Sequence, residues 1–118
     1  MRVLVCGSRH FNDYEWLERE LNGLKLESGT TIINGGARGA DTLAGRFAKA
    51  YAYSEECYPA DWNTHGRRAG PIRNHRMLRE GKPDLVVAFI APDSRGTKHM
   101  VEISRKAGIP VKEINICP

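Results

Sequence analysis

Three short segments of this chain combine glycine with arginine in a way suited to holding an anion: Gly7-Ser8-Arg9, Gly35-Gly36-Ala37-Arg38-Gly39-Ala40-Asp41 and Ser94-Arg95-Gly96-Thr97. Each stands where an apolar run gives way to a helical pattern. The start of a helix leaves backbone N–H groups without partners and carries about half a positive charge from its aligned peptide dipoles. A glycine there lets the backbone approach a guest closely, and an arginine adds a planar fork that can hold two phosphate oxygens. Phosphate is the expected guest, with the amides of Gly7, Ser8, Gly36 and Gly96 as donors and Arg9, Arg38 and Arg95 as counter-charges. Singly, the segments also fit plain duties: a tight turn with a capping serine, a glycine pair for packing a helix on a strand, and a helix N-cap. It is the coincidence of three that points to a ligand.

Other residues extend the pattern. Asp41, two residues into a helix that begins at Gly39, either steadies the helix dipole or contacts a ribose hydroxyl. Trp62 either stacks on a base as a lid or anchors its loop to the body. Arg67, Arg68, Arg73 and Asn74 surround a helix start marked by Ala69-Gly70-Pro71, a setting that favours an anionic ligand, with Trp62 and Arg73 closing over its base or ribose. A dinucleotide fingerprint would need G-x-G-x-x-G after the first strand and an acid at the end of the second; here the first turn has one glycine and the second strand ends at Asn34. There is no G-x-x-x-x-G-K-[ST] and no nucleophile elbow, and His10, His65, His75 and His99 lack metal-ligand spacing. No metal and no resident cofactor is expected.

These turns need elements to place them. Arg2 to Cys6, Thr30 to Asn34, Glu56 to Tyr58, Leu85 to Phe89 and Val111 to Ile116 read as strands. Between them, Asn12 with Glu15 opens a helix carrying Tyr14, Leu17, Leu21 and Leu24 on one face. Ala40, Ala44, Phe47, Ala48 and Tyr51 mark a second helix, Ile72 to Glu80 a third, and Thr97 to Ala107 a fourth. Continuous apolar strands alternating with amphipathic helices imply a three-layer α/β, Rossmann-like domain: a five-stranded, mostly parallel sheet with helices on both faces and all strand C-termini at one edge, where ligands belong. Pro59 to Gly70 reads as the one long loop.

The 118 residues, 41% hydrophobic, suit one domain spanning 1–118. Cys6, Cys57 and Cys117 are widely spaced, which suits thiols in a reducing compartment. No run approaches the ~20 apolar residues of a membrane span, and no basic segment precedes an apolar leader, so the expectation is a cytoplasmic protein without a membrane partner. The net charge of +4 admits nucleic acid, but the arginines fall in turns and no stretch interleaves several basic and aromatic residues, so a compact anion pocket is the better reading.

With these residues in view the chain resembles, almost end to end, the small YspA/YpsA-related branch of the SLOG superfamily, Rossmann-like proteins grouped with the DNA-processing protein DprA and the cytokinin-activating LOG enzymes. The resemblance rests on Gly7-Ser8-Arg9 with Phe11 and Asp13, on Gly35 to Asp41, on Trp62 with Ala69-Gly70, Arg73-Asn74 and Met77, and on Pro83-Asp84 through Gly96-Thr97. It implies a pocket for a nucleotide or nucleotide derivative, ADP-ribose-like among them, in a protein that senses or binds it, and self-association into a homo-oligomer. The LOG enzymes hydrolyse the N-glycosidic bond of a nucleoside monophosphate with a glutamate from P-G-G-x-G-T-x-x-E. Here Arg73 to Met77 is similar to their arginine-rich helix, but Met100 holds the acidic position. Glu102 lies about 200° further round the helix and Asp41 is the other candidate acid, so a phosphoribohydrolase-type N-glycosidase stands as the alternative, its catalytic residues unassigned.

Overall fold

The computed structural model describes residues 1–116; Cys117 lies outside the described residues. Strands β1 (Arg2–Gly7), β2 (Thr31–Asn34), β3 (Ser54–Cys57), β4 (Leu85–Ile90) and β5 (Val111–Asn115) form one sheet in the order β3-β2-β1-β4-β5, with every neighbouring pair parallel. The helices are α1 (Tyr14–Asn22), α2 (Ala40–Ala50), α3 (Trp62–His65), α4 (Ala69–Gly81) and α5 (Arg95–Lys106).

Strand alternation divides the core into two layers. Val3 and Val5 of β1, with Ile32, Val87 and Phe89, face α1 and α2 and pack on Leu17, Leu21, Ala44 and Phe47. The intervening Leu4 and Cys6, with Ile33, Val86 and Ala88, face α4 and α5 and pack on Met77, Met100 and Val101. Successive strand side chains point to opposite faces, so a strand apolar at every position must be covered twice. The result is the expected three-layer fold. Burial of a side chain such as Phe47, Phe89 or Leu4, each inaccessible to solvent, contributes about 1.5–3 kcal/mol.

Several boundaries differ from the sequence pattern, each for a local reason. α1 is capped by Asp13, whose Oδ1 accepts the Trp16 amide at 3.1 Å, and not by Asn12. β3 spans Ser54–Cys57 instead of Glu56 to Tyr58: as an edge strand paired only with β2 it has few buried positions, so no apolar alternation announces it. Cys57 is accordingly exposed, whereas Cys6 is buried. The segment expected to be a long loop is mostly helical. Asp61 caps α3 by accepting the Thr64 amide at 3.1 Å, a 3-10 turn covers Gly66–Arg68, and α4 begins at Ala69, three residues before Ile72. Pro71 thereby sits in the first turn of α4, where its missing N–H would have had no acceptor within the helix. Among the described residues no helix is long and apolar enough to cross a membrane.

The strand order turns around at β1: β2 and β3 extend the sheet to one side, β4 and β5 to the other. Connections leaving β1 and β4 diverge to opposite faces and open a crevice between their C-terminal ends.

Candidate functional site

That crevice is a cleft of about 320 Å³, lined by residues from the end of β1, from the turns after β1, β2 and β4, and from α2, α4 and α5. Gly7, Ser8, Arg9, Asp41, Arg73, Asn74, Ser94, Gly96 and Thr97 all line it, as does Arg95. A recess of about 240 Å³ adjoins it, lined by Gly35, Gly36, Arg38 and Trp62, and Arg9, Ala37 and Arg73 line both. The three turns singled out in the sequence therefore converge on one rim. Cys6, His10, Met77, Asp93 and Met100 also line the cleft. Strand parity and helical spacing give Cys6, Met77 and Met100 away as residues of the α4–α5 face, but nothing in their chemistry flags them.

Four named residues fall outside: Arg67 and Arg68, exposed in the 3-10 turn before α4, and Gly39 and Glu102. Gly39, with φ +78°, lies beneath the β1–α1 turn, where a Cβ would overlap the Ser8 carbonyl oxygen and contact Arg9 Cα at 2.7 Å; it is a packing glycine. Glu102 is on the exposed face of α5, its carboxylate 3.0 Å from Lys106 Nζ, away from the cleft. It is thereby removed as a candidate acid.

The donors are also distributed differently from the sequence expectation. The Ser8 amide donates to the Phe89 carbonyl at 2.9 Å, extending the β1–β4 ladder, and the Gly36 amide donates to Asn34 Oδ1 at 2.9 Å. Neither is available to a guest. A Cβ on Gly7 would stand 2.6 Å from Phe89 O and 2.8 Å from Ala40 Cβ, so this glycine allows helix α2 to close on the sheet. In the turn after β2, the amides of Gly35 and Ala37 each donate to Asp41 Oδ2 at 3.2 Å. This glycine turn wraps the chain's own carboxylate.

The opening of α5 is different. Among the described residues the amides of Gly96 and Thr97 donate to no acceptor, and Ser94 Oγ accepts the Ala91 amide at 3.1 Å instead of capping the helix. A Cβ on Gly96 would meet nothing within 4 Å. Here the unpartnered donors of a helix N-terminus face open space inside the cleft.

Four guanidiniums surround these groups. Arg73, on α4, donates through Nη1 to the Gly35 carbonyl at 2.6 Å and through Nε to Asn74 Oδ1 at 3.0 Å. Arg9 lies over the Trp62 ring, 5.5 Å from its centroid. Among the described residues Arg9, Arg38, Arg73 and Arg95 make no salt bridge, in contrast to Arg2, Arg76, Arg79 and Arg105, each paired with a glutamate. Asp41 is buried, and loss of hydration pushes its carboxyl up to about 6, although the Ala37 and Gly35 amides and the Arg73 and Arg9 charges pull the other way. Burial likewise holds the Cys6 thiol far above its ordinary value, so it stays protonated. Asp93 is the second carboxylate of the lining, so three arginines face two acids in the cleft, and Arg38 adds another cation in the recess. The described residues contain no cluster of ligands for a metal ion.

Comparisons with known proteins agree with this architecture. The model of the YAcAr family, described as the YspA, cpYpsA-related SLOG family, matches residues 1–65, which carry the first two turns. The Gene 61 protein of Mycobacterium phage D29 is 40% identical over 119 residues, covering 93% of each chain. The DNA processing protein A (DprA) of Streptococcus pneumoniae superposes with a TM-score of 0.77 over 98% of this chain at 20% identity, a likeness of fold. This chain spans 50% of that one.

Proposed function

This chain belongs to the YAcAr family, the YspA, cpYpsA-related SLOG proteins, and from that premise we propose that its strand-end cleft binds a phosphate-bearing nucleotide or nucleotide derivative, ADP-ribose-like in size, as a binding or sensing module. The observation that carries this reading is the opening of α5, where the amides of Gly96 and Thr97, without an acceptor among the described residues, share a cleft with Arg9, Arg73 and Arg95, none of them ion-paired among those residues. Backbone donors at a helix start and planar cations bind phosphate together, the first by direction and the second by charge. The adjoining recess, with half-exposed Trp62 beside Arg9 and Arg38, takes the ring or second phosphate of the same ligand; stacking on an aromatic face contributes about 1–3 kcal/mol.

In this reading Arg9 and Arg73, common to both chambers, hold the middle of the ligand, and Asn74, Ser94, Gly35 and Gly36 shape the walls. Asp41 fixes the turn after β2 and stands below the ligand. Calorimetric titration with ADP-ribose and AMP tests the proposal: saturable one-to-one binding that is lost in Arg73→Ala supports it, and no heat from either compound rejects it. Self-association in the cytoplasm remains part of the expectation, and light scattering checks the former.

One observation favours a second reading. Asp41 places a buried carboxyl, titrating at about 6, in the wall of the same cleft, a setting that suits a group exchanging protons near neutrality. An N-glycosidase acting on a nucleoside monophosphate would use it, and release of free base, abolished in Asp41→Asn, decides for that reading. A DNA role by analogy with DprA is not carried over, because the basic and aromatic side chains at the rim converge on one compact site.

A further inference from the structure

Asn74 is buried, 4% exposed, and both N–H groups and the oxygen of its amide have partners. Oδ1 accepts from Arg73 Nε at 3.0 Å, and Nδ2 donates to the Gly96 carbonyl at 3.2 Å and approaches His99 Nδ1 at 3.1 Å. The orientation is fixed by its neighbours: a guanidinium can only donate and a carbonyl can only accept, so turning the amide over would break both bonds. The second Nδ2 hydrogen then requires an acceptor on His99, that is, an imidazole with Nδ1 unprotonated and the proton on Nε2. One side chain thus ties the α4 arginine to the first turn of α5, and an imidazole completes the tie.

We propose that Asn74 is a positioning residue that holds the Arg73 guanidinium and the opening turn of α5 in one arrangement, and that protonation of His99 at Nδ1 releases it. The inference rests on the reading of the cleft as a phosphate site. Neither His99 nor His75 lines the cleft, so the effect reaches the ligand through Asn74. A proton on Nδ1 sets two donors against each other at 3.1 Å; the amide then withdraws from His99, and with it from Gly96 or Arg73.

The surroundings oppose that proton. From α4, the His75 ring meets His99 edge-on with centroids 5.3 Å apart, a second imidazole that would repel the charge. On α5, Arg95 precedes it by one turn, and Glu102, the one carboxylate facing it among the described residues, is drawn to Lys106. Behind α5, β1 and β4 present Leu4, Cys6, Val86 and Ala88, and β5 presents Val111; the Cys6 thiol is protonated. Glu113 of β5 is paired with Arg105, near the far end of the helix. Burial and His75 together hold the His99 imidazole below its ordinary value, so the lock is closed at neutral pH and opens on acidification.

Calorimetry with ADP-ribose between about pH 5 and about pH 8 tests this, because each phosphate of that probe keeps one fixed charge over the range, and Asp41 titrates alike in all variants not altering it. The wild-type protein is expected to lose about tenfold or more in affinity on acidification. His99→Asn, whose Oδ1 can stand where Nδ1 stood without taking a proton, is expected to bind like wild type at pH 8 and to lose no more than about twofold at pH 5. Asn74→Ala is expected to bind about tenfold more weakly at pH 8. Identical pH profiles for wild type and His99→Asn overturn the lock while leaving the binding function intact. If the wild type binds no ADP-ribose at any pH, the functional reading fails instead. The lock is then judged in the unliganded protein by nuclear magnetic resonance, where the Asn74 side-chain amide and the Gly96 amide must shift along the His99 titration. Resonances that ignore that titration overturn it.

Discussion

The turn after β2 and the turn after β4 each bring glycine, an arginine, an acid and the start of a helix to the same rim, but only in the first do the turn's own amides bind the chain's own carboxylate. Around Asp41 the amides of Gly35 and Ala37 are already engaged, and Arg73 stands close enough to bias its titration. At the start of α5 the equivalent donors are open, and no carboxylate reaches them. The difference teaches that a glycine- and arginine-bearing turn is a frame for negative charge whose occupant is not specified by the frame. In one turn the chain supplies the charge from within and gains a rigid wall. In the other it leaves the place vacant, and a ligand can complete it.

The largest effect expected from breaking the comparison comes from the closed side. Gly39→Ala places a methyl on the Ser8 carbonyl at a backbone angle of +78°, which side-chain-bearing residues rarely adopt. Overpacking and backbone strain together are expected to destabilise the fold by about 3–5 kcal/mol, read by urea denaturation. Next comes the internal anion. Asp41→Ala leaves the buried Gly35 amide and the half-buried Ala37 amide without an acceptor and is expected to cost about 2–4 kcal/mol. Asp41→Asn should behave in the opposite sense. A carboxyl raised from its ordinary value of 3.8 to about 6 by burial binds its proton more tightly in the folded state. Its stabilising contribution is complete below about pH 4 and lost as pH rises through about 6, by about 3 kcal/mol. A neutral amide whose oxygen still accepts from Gly35 and Ala37 removes that dependence, so at pH 8 the variant should equal or exceed the wild type in stability, and its stability should be flat between about pH 4 and 6. A variant that retains the wild-type slope would show that Asp41 is not the group responsible.

Much of this contrast was legible in the sequence, and the remainder was not, for physical reasons. Apolar strands alternating with amphipathic helices specify the layers, and a parallel sheet then forces the three turns to one edge; that is how Arg9, Arg38 and Arg95 could be placed together without coordinates. The edge strand β3 was placed two residues late at its start, because Ser54 and Glu55 are exposed and carry no burial signal. The short helices after Pro59 escaped because a long polar segment with glycines reads as a loop until a cap such as Asp61 is seen to bond. For the site, residue type identified who stands at the rim but not which hydrogen bonds are already made. Gly7, Gly35, Gly39 and Gly96 are the same residue in sequence. Coordinates separate three that admit neighbouring protein atoms, Ala40 to Gly7, Arg73 to Gly35 and Ser8 to Gly39, from one that faces space. The Asn74 amide is likewise unremarkable as a residue type, and its role depends on three partners from two helices.

The open turn is probed by smaller changes. Arg95 is exposed and makes no ion pair among the described residues, so Arg95→Ala should leave stability within about 0.5 kcal/mol of wild type, while removing a charged hydrogen bond to phosphate should weaken ADP-ribose binding by about tenfold to a hundredfold. A single methyl gives the sharpest test of the comparison. Gly96 lies in the first turn of α5 with nothing within 4 Å of an added Cβ and with φ outside the left-handed region, so alanine fits the backbone and replaces the poorest ordinary helix former by the best. Gly96→Ala should therefore leave the denaturation midpoint unchanged or raise stability by up to about 1 kcal/mol, the reverse of Gly39→Ala in the other turn. The same methyl stands beside the Gly96 and Thr97 amides, so ADP-ribose affinity should fall while stability does not. A loss of stability comparable to that of Gly39→Ala would mean that the start of α5 is packed against protein, as the turn after β2 is, and that the two turns do not differ in the way the open amides indicate.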